Sequence, residues 1–189
     1  MNQLLIGLHG LAGAGKDTAA RYLAAHYHLL TYAFASPLKM ALVMMLNLAE
    51  ERLEGALKEA PIDWLGKSPR ELMQLLGTEW GRDLVHPQLW LLLAERNLAN
   101  LAETQARCDG FVISDVRFEN EAAWVRQRGG IVVHLRRPAA DAVNPHSSES
   151  GIHVHDNDLL IDNAGTLQEL YAQLDLLMIS VIRRTKHAA

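Results

Sequence analysis

The sequence has very little cysteine and no long hydrophobic run. Its single cysteine, Cys108, excludes a disulfide within the chain, which fits a reducing compartment. Apolar runs such as ALVMML at 41–46 and LWLLLA at 89–94 fall far short of the roughly 18 residues that a membrane span needs. At the N-terminus, no basic region is followed by a long apolar stretch, as a signal peptide would require. These absences predict a soluble cytoplasmic protein that does not bind membranes.

A basic excess is also missing, since 18 Lys and Arg stand against 22 Asp and Glu and the formal charge is −4. This balance argues against a general binder of nucleic-acid polymers, although it leaves room for a local basic pocket. With 189 residues, of which 49% are hydrophobic, the chain is long enough for one globular domain with an inserted lobe. It contains no internal repeat and no low-complexity tract.

Short, continuously apolar segments alternate with helical patterns along the chain. The predicted strands are 4–10, 31–35, 110–116, 130–136 and 158–162, and the predicted helices are 16–27, 36–48, 68–77, 86–103, 118–128 and a long one after 166. Ser36 is expected to cap its helix with Pro37 in the first turn, and capping boxes at Ser68–Glu71 and Thr166–Glu169 mark the starts of two other helices. Strands of this kind are typical of an α/β fold in which a parallel β-sheet is sandwiched by helices.

The helical block at 37–103 is too long for a simple crossover, so we interpret it as a substrate lobe inserted into a single domain, 1–189. Met40, Met44 and Met45 are expected to pack in the core of this lobe. The polar segment 137–157 is rich in Pro, His, Ser and Asp, and we expect it to form a lid.

Residues 10–18, GLAGAGKDT, resemble a phosphate-binding P-loop placed between the first strand and the first helix. The glycines let the backbone curl around a phosphate chain, and the helix N-terminus adds a partial positive charge. Lys16 supplies a mobile cation for the outer phosphates. The predicted ATP-binding residues of this loop are Gly10, Gly13, Ala14, Gly15, Lys16, Asp17 and Thr18.

The residue after the P-loop lysine departs from the usual pattern, because Asp17 stands where Ser or Thr is expected and Thr18 follows one place later. Kinases of small phosphorylated molecules often carry the hydroxyl at this later position. Thr18 would then bond the α-phosphate while Asp17 holds Mg²⁺ through water, which favours a metabolite kinase over a GTPase-type switch. The alternative is that Asp17 only caps the helix, where a carboxylate is favourable in any case.

A second group of polar residues, SDVRFENE at 114–121, follows a buried strand directly. Asp115 lies at the carboxyl end of that strand, where parallel sheets bind their ligands, and would reach Mg²⁺ through water or accept a hydrogen bond from the acceptor substrate. Arg117 is two residues further on, and Glu121 lies on the next helix turn. The alternative interpretation is a surface cluster of salt bridges, but an acid and an arginine at the active edge of a sheet favour function.

Four further arginines, Arg70, Arg82, Arg136 and Arg137, occur in the other candidate substrate elements. An arginine fork binds phosphate with two hydrogen bonds, and phosphoryl transfer needs such groups around the charge in transit. Any one of them alone is typical of a solvated surface, so only the set is informative.

Two other groups of residues leave alternatives open. Trp80 and Trp90 would either stack on a nucleotide base or pack inside the helical lobe. His153, His155 and Asp156 lie close together in sequence, but a third well-placed metal ligand is unproven, so a polar lid explains them better than zinc.

Taken in order, these motifs resemble those of the phage-type deoxynucleoside monophosphate kinases over nearly the whole chain. The shared segments are GLAGAGKDT, FASPLK at 34–39, LGTEWGRD followed by HPQLW at 76–90, SDVRFENE, HSSE at 146–149 and IDNAGTLQEL at 161–170. The pairing of GKDT with SDVRFxNE is the most specific of them.

This resemblance implies a nucleoside monophosphate kinase-like fold, ATP and Mg²⁺ as cofactors, a deoxynucleoside monophosphate as the acceptor and a homodimer. It also implies that Asp115 and Arg117 serve the acceptor site, that Arg136 and Arg137 act from the lid side, and that Asn163 lies near the adenine of ATP. Asp17 and Asp115 are the expected Mg²⁺ contacts, through water. The expected substrate residues are Lys39, Arg70, Gln74, Arg82, Trp90 and Glu121.

Two other families and one non-enzymatic function are alternatives. Animal-type phosphomevalonate kinases share a related set of GKD, PLK, SDxR and lid segments. Dephospho-coenzyme A kinases share the P-loop but carry an acidic motif where this chain has FASPLK, which counts against them. A non-catalytic ATP-binding module would not need Asp115 and the arginines.

Overall fold

A computed structural model describes residues 3–105, 108–138 and 151–187, with side chains as far as residue 183. Its five strands form one sheet in the order β2-β3-β1-β4-β5, and every neighbouring pair is parallel. The strands are β1 (Leu4–His9), β2 (Leu29–Tyr32), β3 (Gly110–Ile113), β4 (Ile131–Arg136) and β5 (Leu159–Asp162). The sheet confirms the predicted α/β class.

Helices connect the strands and fill a long excursion between β2 and β3. The helices are α1 (Lys16–Tyr27), α2 (Ser36–Leu46), α3 (Pro69–Gln74), α4 (Leu89–Thr104), α5 (Glu119–Gln127) and α6 (Leu167–His187). Two 3₁₀ turns, Glu50–Leu53 and Gly55–Lys58, precede α3, and a π-helix, Leu75–Val85, continues it. No helix in the described ranges combines the length and the apolar character needed to cross a bilayer.

The chain divides into two compact units, unit 1 (residues 1–33 and 101–189) and unit 2 (residues 34–100). In unit 1 the sheet is covered on both faces, which explains why its strands are apolar throughout. Ile6 and Leu8 belong to a buried cluster with residues of α1 and α6. Between them, Gly7 faces the other side, where a Cβ would meet Val116 at 2.9 Å and Val125 of α5 at 3.2 Å.

For two strands, the predicted bounds differ from those in the structure. The second strand spans Leu29–Tyr32 rather than 31–35, because Leu29 pairs with Gly110 and the chain already turns at 34–35 to enter α2. The turn resembled a strand in the sequence because Phe34 is apolar, and in the structure this side chain is buried. The third strand ends at Ile113 instead of 116, and the residues after it form a turn that carries Asp115 and Arg117.

The expectations for α2 were partly wrong. Pro37 lies in the first turn as predicted, but the N-cap is Ala35 and Ser36 is already helical. Met40, Met44 and Met45 are 68%, 81% and 67% exposed, so they do not form a core. The buried positions of α2 are instead Leu38 and Leu42, four residues apart on one face of the helix.

The capping box predicted at the start of α3 is confirmed, but the helix does not end near Gly77. The Ser68 hydroxyl accepts a hydrogen bond from the Glu71 amide at 3.2 Å, and the Ser68 amide donates to Glu71 Oε2 at 2.8 Å. The π-helix then runs to Val85, where the His86 amide donates to the Gly81 carbonyl at 3.0 Å. The second predicted capping box, at Thr166 and Glu169, is also confirmed.

Candidate active site

The P-loop joins β1 to α1, and its lysine is the first residue of the helix. Lys16 Nζ donates to the carbonyl oxygens of Gly10 at 2.6 Å and Leu11 at 2.9 Å, so the ammonium group lies against the loop. Gly15 is the N-cap, with φ 99° in the left-handed region that favours glycine. The helix therefore begins where its N-terminal amides and partial positive charge face the loop.

The P-loop is held in place by residues distant in sequence. A Cβ on Gly10 would overlap the Leu135 carbonyl of β4, and a Cβ on Gly15 would lie 2.5 Å from Asn163 Nδ2. Asn163 is buried, and its Nδ2 donates to the Ala14 carbonyl at 3.0 Å. The side chain of Asn163, for which a place near adenine was expected, thus contacts the loop itself.

Asp17 is exposed in the first turn of α1, one residue before the half-buried Thr18. Gly15 occupies the N-cap position and has no side chain with which to cap the helix, while Asp17 is the acidic residue of the first turn, where a carboxylate is favourable. This position fits both interpretations of Asp17, the Mg²⁺ contact and the stabilised helix N-terminus. A carboxylate and a hydroxyl next to a P-loop lysine are oxygen donors of the kind that Mg²⁺ prefers.

A cavity of about 780 Å³ lies beside the P-loop within unit 1. Residues after β4 and β5 line it together with the loop, among them Leu11, Arg136, Arg137, Asp162 and Gln173. Arg136 is exposed, and Arg137 Nη1 approaches the Gly13 carbonyl at 3.5 Å. The two predicted lid-side arginines therefore lie at the cavity that opens beside the phosphate loop.

Asp115 and Arg117 lie on either side of the fully buried Val116, just beyond the carboxyl end of β3. The Val116 amide donates to the Leu8 carbonyl at 3.1 Å, and the Val116 carbonyl accepts from His9 Nδ1 at 2.9 Å. These bonds attach the turn to β1, the strand that leads into the P-loop. The sequence interpretation missed His9, whose only signal is a histidine at the end of the apolar strand LLIGLH.

The substrate role expected of Glu121 does not fit its surroundings. Its residue is 2% exposed, and its Oε2 accepts hydrogen bonds from the amides of Arg117 at 2.7 Å and Phe118 at 3.1 Å. A carboxylate so enclosed holds the backbone of the turn. In the structure Glu121 therefore holds the backbone amides of Arg117 and Phe118.

In unit 2, two of the predicted substrate residues, Arg70 and Lys39, lie beside carboxylates. Arg70 Nε donates to Glu59 Oε1 at 2.6 Å, and Lys39 Nζ lies 3.7 Å from Glu54 Oε1. Gln74 is the last residue of α3, and Arg82 is half-buried in the π-helix.

Of the two tryptophans considered for base stacking, Trp90 is buried and its Nε1 donates to the Gly77 carbonyl at 2.7 Å. Its ring is also the group that a Cβ on Gly81 would meet. Trp90 therefore packs inside unit 2, which is the second of the two alternatives given for it. Trp80 is 47% exposed and keeps a face for a ligand.

The HSSE part of the predicted lid lies outside the described residues. After it, the His153 amide donates to Glu119 Oε2 at 3.0 Å and the His155 amide donates to Asp158 Oδ2 at 2.9 Å. Within the described ranges, no three His, Cys, Asp or Glu side chains are grouped to hold a metal ion.

The Asp158 side chain, 1% exposed, is the centre of a polar network. Arg126 donates to its two oxygens at 3.1 and 2.7 Å, and His134 Nε2 donates to Oδ2 at 3.0 Å. Burial by itself would raise the pKa of the Asp158 carboxyl, but these hydrogen bonds outweigh burial and lower the pKa to about 2. The network fixes residues 153–158 to α5 and β4.

A family model for deoxynucleotide monophosphate kinases matches residues 59–174, which is more than half of the chain. The chain belongs to this family. It is 34% identical to a protein of Acanthamoeba polyphaga mimivirus provisionally named deoxynucleotide monophosphate kinase, and the match covers 90% of this chain and 94% of that protein. It is also 24% identical to the deoxynucleotide monophosphate kinase of Enterobacteria phage T4, over 90% of this chain and 96% of the relative.

Among solved structures, a protein from Chloroflexus aurantiacus provisionally named as a kinase is similar with a TM-score of 0.52 and 14% identity. That match covers 96% of this chain and 97% of the other. At this identity the likeness concerns the fold alone, and it agrees with the parallel sheet described above.

Proposed function

We propose that this protein transfers the γ-phosphate of ATP to a deoxynucleoside monophosphate, giving ADP and a deoxynucleoside diphosphate. The observation that carries the proposal is a P-loop with Lys16 at its helix junction, in a chain of the deoxynucleotide monophosphate kinase family. The reaction needs no covalent intermediate. An oxygen of the acceptor phosphate attacks the γ-phosphorus, the bond to the β–γ bridging oxygen breaks, and ADP leaves.

On the donor side, the amides of residues 13–18 and the N-terminus of α1 bind the ATP phosphates. Lys16 exchanges its carbonyl contacts for the outer phosphates, and Thr18 bonds the α-phosphate. The cavity beside the loop is the place we assign to the adenosine half, since it adjoins the loop and offers both apolar and polar walls at Leu11, Asp162 and Gln173.

Mg²⁺ fits the oxygen donors on this side of the molecule. Asp17, exposed next to Lys16, and Asp115, at the end of β3, would hold it through water. When bound, the ion neutralises phosphate charge.

Arginine side chains supply the remaining positive charge. Arg117, Arg136 and Arg137 neutralise the phosphoryl group in transit, and the bond from Glu121 to the Arg117 amide keeps the first of them in place. Arg70, Arg82, Lys39 and Gln74 of unit 2 serve the acceptor, with Trp80 as the stacking surface for its base.

We favour a nucleotide over phosphomevalonate as the acceptor because of the side chains that unit 2 offers. Phosphomevalonate brings a carboxylate and no ring, so it would need cations beyond the arginines. A nucleoside instead brings a flat base, which suits the exposed face of Trp80.

The test is a coupled ADP-release assay with ATP, Mg²⁺ and a panel of acceptors. We expect ADP with one or more of dGMP, dTMP, dCMP and dAMP, and little or none with 5-phosphomevalonate or water. ADP release with phosphomevalonate alone would instead indicate a phosphomevalonate kinase. ATP binding without release to any acceptor would indicate the non-catalytic module.

The proposal includes a cytoplasmic location and the homodimer implied by the resemblance. Sedimentation equilibrium at assay concentration tests the dimer, since a mass near the 21.0 kDa of one chain would exclude it.

A further inference from the structure

We propose that His9 is a positioning residue whose neutral imidazole ties the strand leading into the P-loop to the turn that carries Asp115 and Arg117. The inference rests on the proposed phosphoryl transfer for its kinetic consequence. Its structural content, a particular tautomer making a particular hydrogen bond, is independent of the reaction.

Two neighbouring residues of β1 hold the same residue of the turn. Leu8 accepts the Val116 amide at 3.1 Å, and His9 Nδ1 lies 2.9 Å from the Val116 carbonyl. A carbonyl oxygen can only accept, so Nδ1 must carry the hydrogen. Val116 is thereby fixed at both of its backbone polar groups, and the residues before and after it are Asp115 and Arg117.

The electrostatic surroundings keep the His9 ring neutral. Burial lowers the pKa of His9, the hydrogen bond to Val116 acts in the opposite direction, and His134, Lys16 and Arg117 lower it further by charge repulsion. The ring of His134 lies edge-on to that of His9, with centroids 5.2 Å apart, and its Nε2 is used by Asp158. His9 therefore makes the bond without adding a third positive charge between Lys16 and Arg117.

This placement has a consequence for the reaction. Lys16 belongs to the donor side and Arg117 to the acceptor side, and β1 connects to both, through the P-loop that follows it and through its hydrogen bonds to Val116. A displacement of about 1 Å between reacting groups costs a rate on the order of 100-fold, even where each substrate still binds. Loss of the His9 bond should therefore lower kcat more than it weakens ATP binding.

The experiment compares two amide variants that differ in where they place a donor. The amide nitrogen of His9→Asn lies near the position of Nδ1, whereas that of His9→Gln extends toward the position of Nε2. We expect His9→Asn to retain kcat within about 3-fold and His9→Gln to lose about 10-fold or more, with the ATP dissociation constant of both within about 3-fold of the original. Thermal unfolding establishes that each variant is folded.

Equal loss in both variants, or wild-type kcat in both, would overturn the proposal. A second measurement uses the unaltered protein, so it does not depend on how the variants fold. Long-range ¹⁵N–¹H NMR at pH 7.5 should show His9 neutral with hydrogen on Nδ1. A hydrogen on Nε2 alone, or on both nitrogens, would overturn the proposed hydrogen bond from a neutral His9 to the Val116 carbonyl. If no deoxynucleotide is phosphorylated, the proposed function is wrong. The NMR measurement of the tautomer then still tests the hydrogen bond between His9 and Val116.

Discussion

The buried Asp158 network makes a prediction about how stability depends on pH. The pKa of its carboxyl is lowered from the ordinary value of 3.8 to about 2 in the folded protein. A carboxyl whose pKa is lower in the folded state stabilises the fold above its unfolded pKa, and this stabilisation is lost as the pH falls through the folded pKa. Asp158 should therefore contribute fully above pH 5 or so and progressively less between about pH 4 and pH 2.

The size of this contribution follows from the two pKa values. At about 1.4 kcal/mol for each pH unit, the difference between 3.8 and about 2 corresponds to about 2.5 kcal/mol at pH 7. At pH 3 the same relation leaves about half of that amount. Asp158→Asn keeps the shape and one acceptor oxygen for Arg126, so it removes mainly the charge.

Urea unfolding of wild type and Asp158→Asn at pH 7, 5, 4 and 3 measures the contribution directly. We expect a difference in unfolding free energy of about 2.5 kcal/mol at pH 7 that narrows toward pH 3. Asp156→Asn is the matched control, because Asp156 lies two residues away and is exposed, and it should change stability by less than about 0.5 kcal/mol. A difference that stays constant with pH, or that is absent at pH 7, would refute this account of the network.

Three further predictions concern the P-loop and unit 2. Lys16→Ala should lower kcat by about three orders of magnitude in the ADP-release assay while the melting temperature stays unchanged, since Lys16 provides charge and not packing; near-normal turnover would contradict its role. Asp17→Ser should retain more activity than Thr18→Ala, because it restores the commoner Mg²⁺ hydroxyl, and the reverse order would reassign Asp17. In urea unfolding, Gly81→Ala should cost about 1–3 kcal/mol because its Cβ would lie 2.6 Å from the Trp90 ring. Gly77→Ala, which meets only the Leu38 methyl at 3.1 Å, should cost less, and equal effects would argue against the ring contact.

The sequence predicted the order of strands and helices because hydrophobic periodicity and capping boxes are local signals. The α1 bounds and both capping boxes were correct for this reason. The errors lie where a local signal was overruled by packing. Phe34 read as part of a strand because it is apolar, yet it is buried in the turn before α2. The helix capped by Ser68 continues past Gly77 because its turns widen into a π-helix, a state that hydrophobic periodicity does not distinguish from an ordinary helix.

Burial distinguishes the candidate site residues whose side chains are enclosed from those that keep an exposed face. Trp90 and Glu121 have the chemistry of a stacking surface and of a substrate contact, but both side chains are enclosed and their polar atoms are used within the protein. Trp80, with the same chemistry in the same motif, is 47% exposed. Which member of such a pair is enclosed depends on partners elsewhere in the fold, so residue type and spacing alone could not decide it.

The P-loop itself shows how a motif depends on residues that the motif does not include. Its glycines were predicted from the need to wrap a phosphate chain. The structure adds a second reason for two of them, since Gly10 lies against the Leu135 carbonyl and Gly15 against the Asn163 amide, more than a hundred residues away. Asn163 in turn bonds the Ala14 carbonyl, and His9 bonds Val116 across a similar separation. These distant contacts hold the loop on one side to β4 and β5 and on the other to the turn of Asp115 and Arg117. A side chain in place of either glycine would therefore displace the Leu135 carbonyl or the Asn163 amide that holds the loop, even where the phosphates themselves could still be accommodated.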